Sequence, residues 1–98
     1  MKTLQEILAK LVEIKPELVN KYGVSQLAIF GSYAYGQANE NSDVDVLVDF
    51  NRSIGIEFID LCEDIEISLG IKTDIATVGA LRNKPKLFEF IKKDLIYV

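Results

Sequence analysis

Two adjoining stretches decide the reading: Leu27-Ala28-Ile29-Phe30-Gly31-Ser32-Tyr33-Ala34-Tyr35-Gly36, and then Ser42-Asp43-Val44-Asp45-Val46-Leu47-Val48-Asp49-Phe50. The first is an apolar run that ends in a glycine-serine turn. The second is an alternating run with two aspartates at its head. Their order is strand, small-residue turn, short polar linker, strand. A turn of this kind can bring backbone N–H groups and a hydroxyl close to phosphates. Acids two apart on a strand project from one face, roughly 6.5–7 Å apart at Cα. They can share one divalent ion, or hold two about 3.5–4 Å apart as in two-metal phosphoryl transfer. Both halves of a nucleoside-triphosphate site, with its magnesium, therefore fall within one short stretch.

The flanking sequence supplies the scaffold. Thr3 and Glu6 form a capping box, and Leu4, Ile7, Leu8, Leu11 and Val12 recur at helical spacing. Pro16 fits the first turn of a second short helix, and Gly23 stops it. Val24 to Phe30 is the first strand, Gly31 to Gln37 a turn leading into a brief helix, and Ala38 to Ser42 a polar loop. Val44 to Phe50 is the second strand, with Val44, Val46 and Val48 on one side and Asp43, Asp45, Leu47 and Asp49 on the other. Ile54 to Leu69 is an amphipathic helix, expected to turn Ile56, Ile59, Cys62 and Ile65 inward and Glu57, Asp60 and Asp64 outward. Gly70 ends it, Lys72 to Val78 forms a third strand, and Lys84-Pro85 opens a terminal helix. Leu95 to Val98 extends that helix or adds a short strand. This pattern predicts one α+β domain over residues 1–98, a small mixed sheet flanked by helices.

Composition narrows the chemistry. The formal charge of −4 argues against a dedicated nucleic-acid surface, which needs a basic face. With one cysteine, Cys62, no internal disulfide can form, and a reducing cytoplasm is the expected location. The absence of histidine excludes His-based triads and His-containing zinc sites. Carboxylates remain as metal ligands, and they select hard cations: magnesium, manganese or calcium. No apolar run approaches the roughly twenty residues that span a bilayer. Lys84, Lys86, Lys92 and Lys93 read as a solvated helix face.

Asp74 is the third candidate acid. It lies mid-run in Thr73-Asp74-Ile75-Ala76, where an unpaired buried carboxylate would be costly. A strand laid beside the second one would bring it to Asp43 and Asp45. Ser42 is either a turn residue or a direct ligand contact. Two other motifs fail on inspection. Gly31 and Gly36 have P-loop spacing, but Gln37-Ala38 stand where that loop needs lysine and a hydroxyl residue. Asn41, Asp43 and Asp45 start like a calcium loop, but Val46 and Arg52 replace its obligatory glycine and glutamate.

At Gly31, Ser32, Asp43 and Asp45 the chain resembles the DNA polymerase beta-like nucleotidyltransferase superfamily. It is most similar to the minimal nucleotidyltransferases, whose signature is glycine-serine, ten residues, then Asp-x-Asp. The resemblance implies that Gly31 and Ser32, with Ser42 nearby, hold the triphosphate of ATP, and that Asp43 and Asp45 bind magnesium or manganese. It further implies that Asp74 helps bind the metal and activates the attacking hydroxyl. Tyr35 departs from the pattern, standing where many relatives carry arginine. Minimal nucleotidyltransferases often serve as antitoxins that adenylylate a tyrosine of a HEPN ribonuclease toxin. The expected partners are therefore a nucleoside triphosphate and a HEPN-type toxin, with neither nucleic acid nor membrane. Two alternatives follow: an antitoxin that masks its toxin without catalysis, and a small-molecule nucleotidyltransferase.

Overall fold

The sheet that carries the candidate acids has four strands in the order β3-β2-β1-β4. The computed structural model describes residues 2–98. Strand β1 (Val24–Phe30) pairs antiparallel with β2 (Val44–Phe50), and β3 (Thr73–Thr77) runs parallel to β2. A two-residue strand, β4 (Ile96–Tyr97), closes the other edge antiparallel to β1. The sheet is thus mixed, and with the helices on its faces it makes the expected α+β fold. Alternation divides β2 between two apolar clusters. Val44, Val46 and Val48 are fully buried against helices α1 (Leu4–Tyr22) and α3 (Glu57–Leu69). Leu47 turns to the opposite face, where Ala28, Val78, Leu81 and Ile91 cover it. Asp45 and Asp49 lie half-buried on this second face.

Local signals explain most element ends. The Thr3 hydroxyl accepts from Glu6 N–H at 3.1 Å, and the Glu6 carboxylate accepts from Thr3 N–H at 3.0 Å, a complete capping box. Gly23 and Gly70 end α1 and α3 in the left-handed region. Several expectations need correction. Pro16 does not open a second helix; it lies inside the nineteen-residue α1. Its fixed φ suits a helix, and the carbonyl it cannot bond belongs to Val12, which is 59% exposed to water. The inward stripe of α3 is Phe58, Leu61, Ile65 and Leu69, whereas Ile56 and Ile59 are 83% and 58% exposed. At ~100° per residue, Ile56 and Ile65 point about 180° apart, while Phe58 and Leu69 nearly coincide. Asp64 does not face outward freely either, because it accepts hydrogen bonds from the Tyr22 hydroxyl and from Lys21 Nζ. Finally, the third strand stops at Thr77, whose hydroxyl accepts from Ala80 N–H and caps a helix the sequence reading omits, α4 (Val78–Arg82). The terminal helix is α5 (Pro85–Lys92). Among the described residues no helix is long and apolar enough to cross a membrane.

Candidate active site

The glycine-serine turn sits at the end of β1, and the register of the sheet sets it beside the acids. Phe30 pairs with Asp45 across β1 and β2, and Asp45 pairs in turn with Asp74 on β3. The parallel pairing thus makes Asp45 and Asp74 direct neighbours, which sequence spacing alone does not specify. Asp43, two residues before Asp45, precedes the strand and is half-buried. Asp74 is exposed on the edge strand, so it does not incur the burial expected from its mid-run position.

Gly31 has φ 73° and ψ −155°, a region that side-chain-bearing residues avoid. A Cβ at this position would overlap Asp45 Oδ2 and lie 2.8 Å from its Cγ. The absence of a side chain therefore lets the turn pack directly against the central carboxylate. Gly31 is also the N-cap of the four-residue helix α2 (Ser32–Tyr35), where no side chain among the described residues caps the first-turn N–H groups. These donors lie immediately beyond the residue that touches Asp45. Gly36 closes the turn with φ 75°, and Gln37 N–H donates to Ser32 C=O at 2.9 Å. Tyr33 is buried beneath the turn and Tyr35 is 39% exposed. Ser42 lies in a tight turn before Asp43. Its hydroxyl accepts from Asn39 N–H at 2.9 Å, and its own N–H donates to Asn39 C=O at 3.0 Å. That engagement fits the turn role, while the hydroxyl proton stays available to another acceptor.

The electrostatics centre on Asp45. Its carboxyl is pushed above the usual carboxylate range, first by burial, then by the negative charges of Asp74 and Asp43. Two acids thus act on the third, and a cation at Asp45 would relieve both burdens. Among the described residues no three acidic, histidine or cysteine side chains stand close enough to chelate an ion unaided. The donor set suits a hard cation whose remaining ligands come from phosphate oxygens. Cys62 is half-buried on α3, which packs on the sheet face opposite Asp45, and burial raises its thiol pKa, so it offers no ready thiolate.

Fold and site together describe a nucleotidyltransferase domain, and comparison with known proteins agrees. The sequence profile of the nucleotidyltransferase domain matches residues 11–98. A Methanocaldococcus jannaschii protein named "putative protein adenylyltransferase" is 43% identical over 101 residues, spanning 100% of both chains. The protein adenylyltransferase MntA of Thermococcus cleftensis is 38% identical over 99 residues, covering 100% of this chain and 98% of its own. A solved structure described as a "putative minimal nucleotidyltransferase" superposes with a TM-score of 0.81 at 29% identity, over 97% of this chain and 95% of that one. The chain belongs to the nucleotidyltransferase domain family and is a transferase.

Proposed function

We propose that the protein is a magnesium-dependent protein adenylyltransferase. It transfers AMP from ATP to a tyrosine hydroxyl of a HEPN ribonuclease toxin, releases pyrophosphate, and so acts in the cytoplasm as that toxin's antitoxin. The observation that carries this reading is the contact of Gly31 with Asp45. It joins a turn bearing uncapped N–H donors to a carboxylate raised in pKa by burial and by two neighbouring acids. The adenylyltransferase names of full-length relatives support the protein acceptor.

In this reading the backbone N–H groups of the turn and the Ser32 hydroxyl bind the triphosphate. Gly31 holds that turn against Asp45, fixing the distance between phosphate donors and acids. Asp43 and Asp45, with Asp74 as a third ligand, are the residues that would hold magnesium or manganese once phosphate oxygens share the ion, since the three acids do not chelate it unaided. Bound there, the cation would neutralise charge developing on the transferred phosphoryl group. Asp74, exposed at the sheet edge, is open to an incoming acceptor and serves as the group that takes the hydroxyl proton. The tyrosine oxygen attacks the α-phosphorus, and the bond to the bridging oxygen of pyrophosphate breaks. Ser42 orders the loop before Asp43 and contributes its hydroxyl proton to the nucleotide. Tyr35 supplies no cation to the phosphates, which leaves the metal and backbone N–H groups as their neutralising partners.

The test incubates wild type and Asp74→Asn with ATP, magnesium and a HEPN-type ribonuclease as acceptor, and measures the partner's intact mass. One or more added adenylyl units with wild type, and a rate reduced about 10²–10⁴-fold in the variant, support the reading. An unmodified but neutralised partner with both proteins would instead establish masking.

A further inference from the structure

Four of the chain's six glycines, Gly23, Gly31, Gly36 and Gly70, adopt positive φ. Gly55 and Gly79 do not. Among the described residues a Cβ on Gly79 would meet nothing within 4 Å, and one on Gly55 would approach only Glu57 Oε2 at 3.6 Å. Gly79 lies inside α4, where glycine is about 1 kcal/mol worse than alanine. Neither backbone geometry nor packing calls for these two residues. Both, however, line one open groove of 820 Å³ at the C-terminal ends of β2 and β3.

The chain's two arginines, Arg52 and Arg82, line the same groove. Among the described residues neither joins an ion pair. Arg52 donates one N–H to Lys21 C=O at 3.0 Å, and among the described residues its other four donors have no acceptor. Beside them stand half-buried Phe50 and Phe58, packed edge to face with centroids 6.5 Å apart. The groove therefore combines two guanidinium forks, an aromatic wall and room kept open by glycine.

We propose that this groove docks an acidic peptide segment of a protein partner, a carboxylate against Arg52 and Arg82 and a neighbouring apolar side chain against Phe50 and Phe58. A single negative charge fits better than a phosphate dianion, because Asp49 lines the same groove. A polyanion is opposed further by the net charge of −4. Asp49 is four residues beyond Asp45 on β2, roughly 13 Å along the strand, and Leu47 lies between them beneath α4 and α5. One bound protein can thus reach both places. The proposal rests on the adenylyltransferase reading only in taking the partner to be a protein.

Nitrogen-15 NMR of the whole chain tests it, because two arginines give only two Nε–H side-chain signals. The probe is an acetylated, amidated tetrapeptide, glycine-glutamate-leucine-glycine, which carries one negative charge. Its glutamine counterpart, inorganic phosphate and ATP with magnesium are titrated in parallel. The acidic peptide is expected to shift both Arg signals and the Gly55 and Gly79 amides together. Affinity should fall about tenfold or more in Arg82→Gln, which removes charge, and in Gly79→Leu, which fills the groove. ATP should shift the Gly31–Gly36 turn equally in wild type and Arg82→Gln. No shift with the acidic peptide, equal binding of the glutamine peptide, tighter binding of phosphate, or full affinity in Arg82→Gln would each overturn the proposal. If ATP still binds at the turn in that case, the adenylyltransferase reading survives and the groove assignment alone fails.

Discussion

Replacing Gly31 with alanine perturbs one atom at the junction of turn and acid, and the structure sets the size of the effect. The new Cβ must occupy φ 73°, ψ −155°, which alone amounts to about 1–3 kcal/mol for a residue other than glycine. It must also displace the Asp45 carboxylate, since it would lie 2.8 Å from Cγ, adding about 1–3 kcal/mol of overpacking. The expected loss is therefore about 2–6 kcal/mol, a large part of the ~5–15 kcal/mol that holds a typical domain together. Urea unfolding followed by circular dichroism measures it. A double-mutant cycle with Asp45→Ala separates the two parts: removing the carboxylate should relieve the clash and leave the backbone strain. Coupling of about 1–3 kcal/mol between the sites is expected. A loss below about 0.5 kcal/mol, or a penalty unchanged by Asp45→Ala, would refute the contact and with it the reason for a glycine here.

Other perturbations report on neighbouring parts of the account. Because Asp45 is held above the ordinary carboxylate range, folding favours its protonated form. Its favourable contribution is present at low pH and is lost as pH rises through the raised value. Asp45→Asn should therefore gain about 0.2–1 kcal/mol over wild type at neutral pH, and this gain should vanish on acidification, as thermal melts across pH would show. Calorimetry should find that a non-hydrolysable ATP analogue binds wild type far better with magnesium than without it, and that Asp43→Asn plus Asp45→Asn removes the difference. The Tyr22 hydroxyl, with Lys21 adding to it, holds Asp64 below its usual range against the opposing effect of burial. That contribution is present at neutral pH and is lost as pH falls through the lowered value. Tyr22→Phe should lose about 1 kcal/mol at pH 7 in urea melts, and less in acid. Thr3→Ala, which breaks the capping box, should lose about 1 kcal/mol at any pH above the Glu6 range.

The strands flanking the turn were legible because the first is an apolar run that ends at a glycine and the second alternates behind its two acids. Val24 to Phe30 and Val44 to Phe50 are matched residue for residue. The capping box and the stops at Gly23 and Gly70 were equally local. What failed depended on choosing between competing local signals. Pro16 both starts helices and survives on their wet faces, and only the exposure of Val12 decides between these roles. Helix α3 carries one buried isoleucine, Ile65, and two exposed ones, Ile59 and Ile67, and reading every third residue follows a line that winds off the buried side. Thr77 with the residues after it held a capping signal for α4 that the apolar run of β3 obscured. Within the candidate site, the glycine-serine turn and Asp43-x-Asp45 could be read from spacing. The register that pairs Asp45 with Asp74 could not, although a third strand beside the second was expected to bring the acids together, since parallel register is set by the crossover through α3. Nor could the fit of Gly31 against Asp45, which exists only once β1 and β2 are paired.

The central claim is transfer of an adenylyl group to a protein through the acids beside Gly31. The most direct measurement uses ATP labelled at the α-phosphate, incubated with magnesium, the HEPN-type partner, and either wild type or Asp45→Asn. Label should become covalently attached to a partner tyrosine with wild type, with release of pyrophosphate in equal amount, and attachment should be abolished in Asp45→Asn although the variant is folded. Absence of label on the partner with wild type, or equal labelling by Asp45→Asn, would contradict the account.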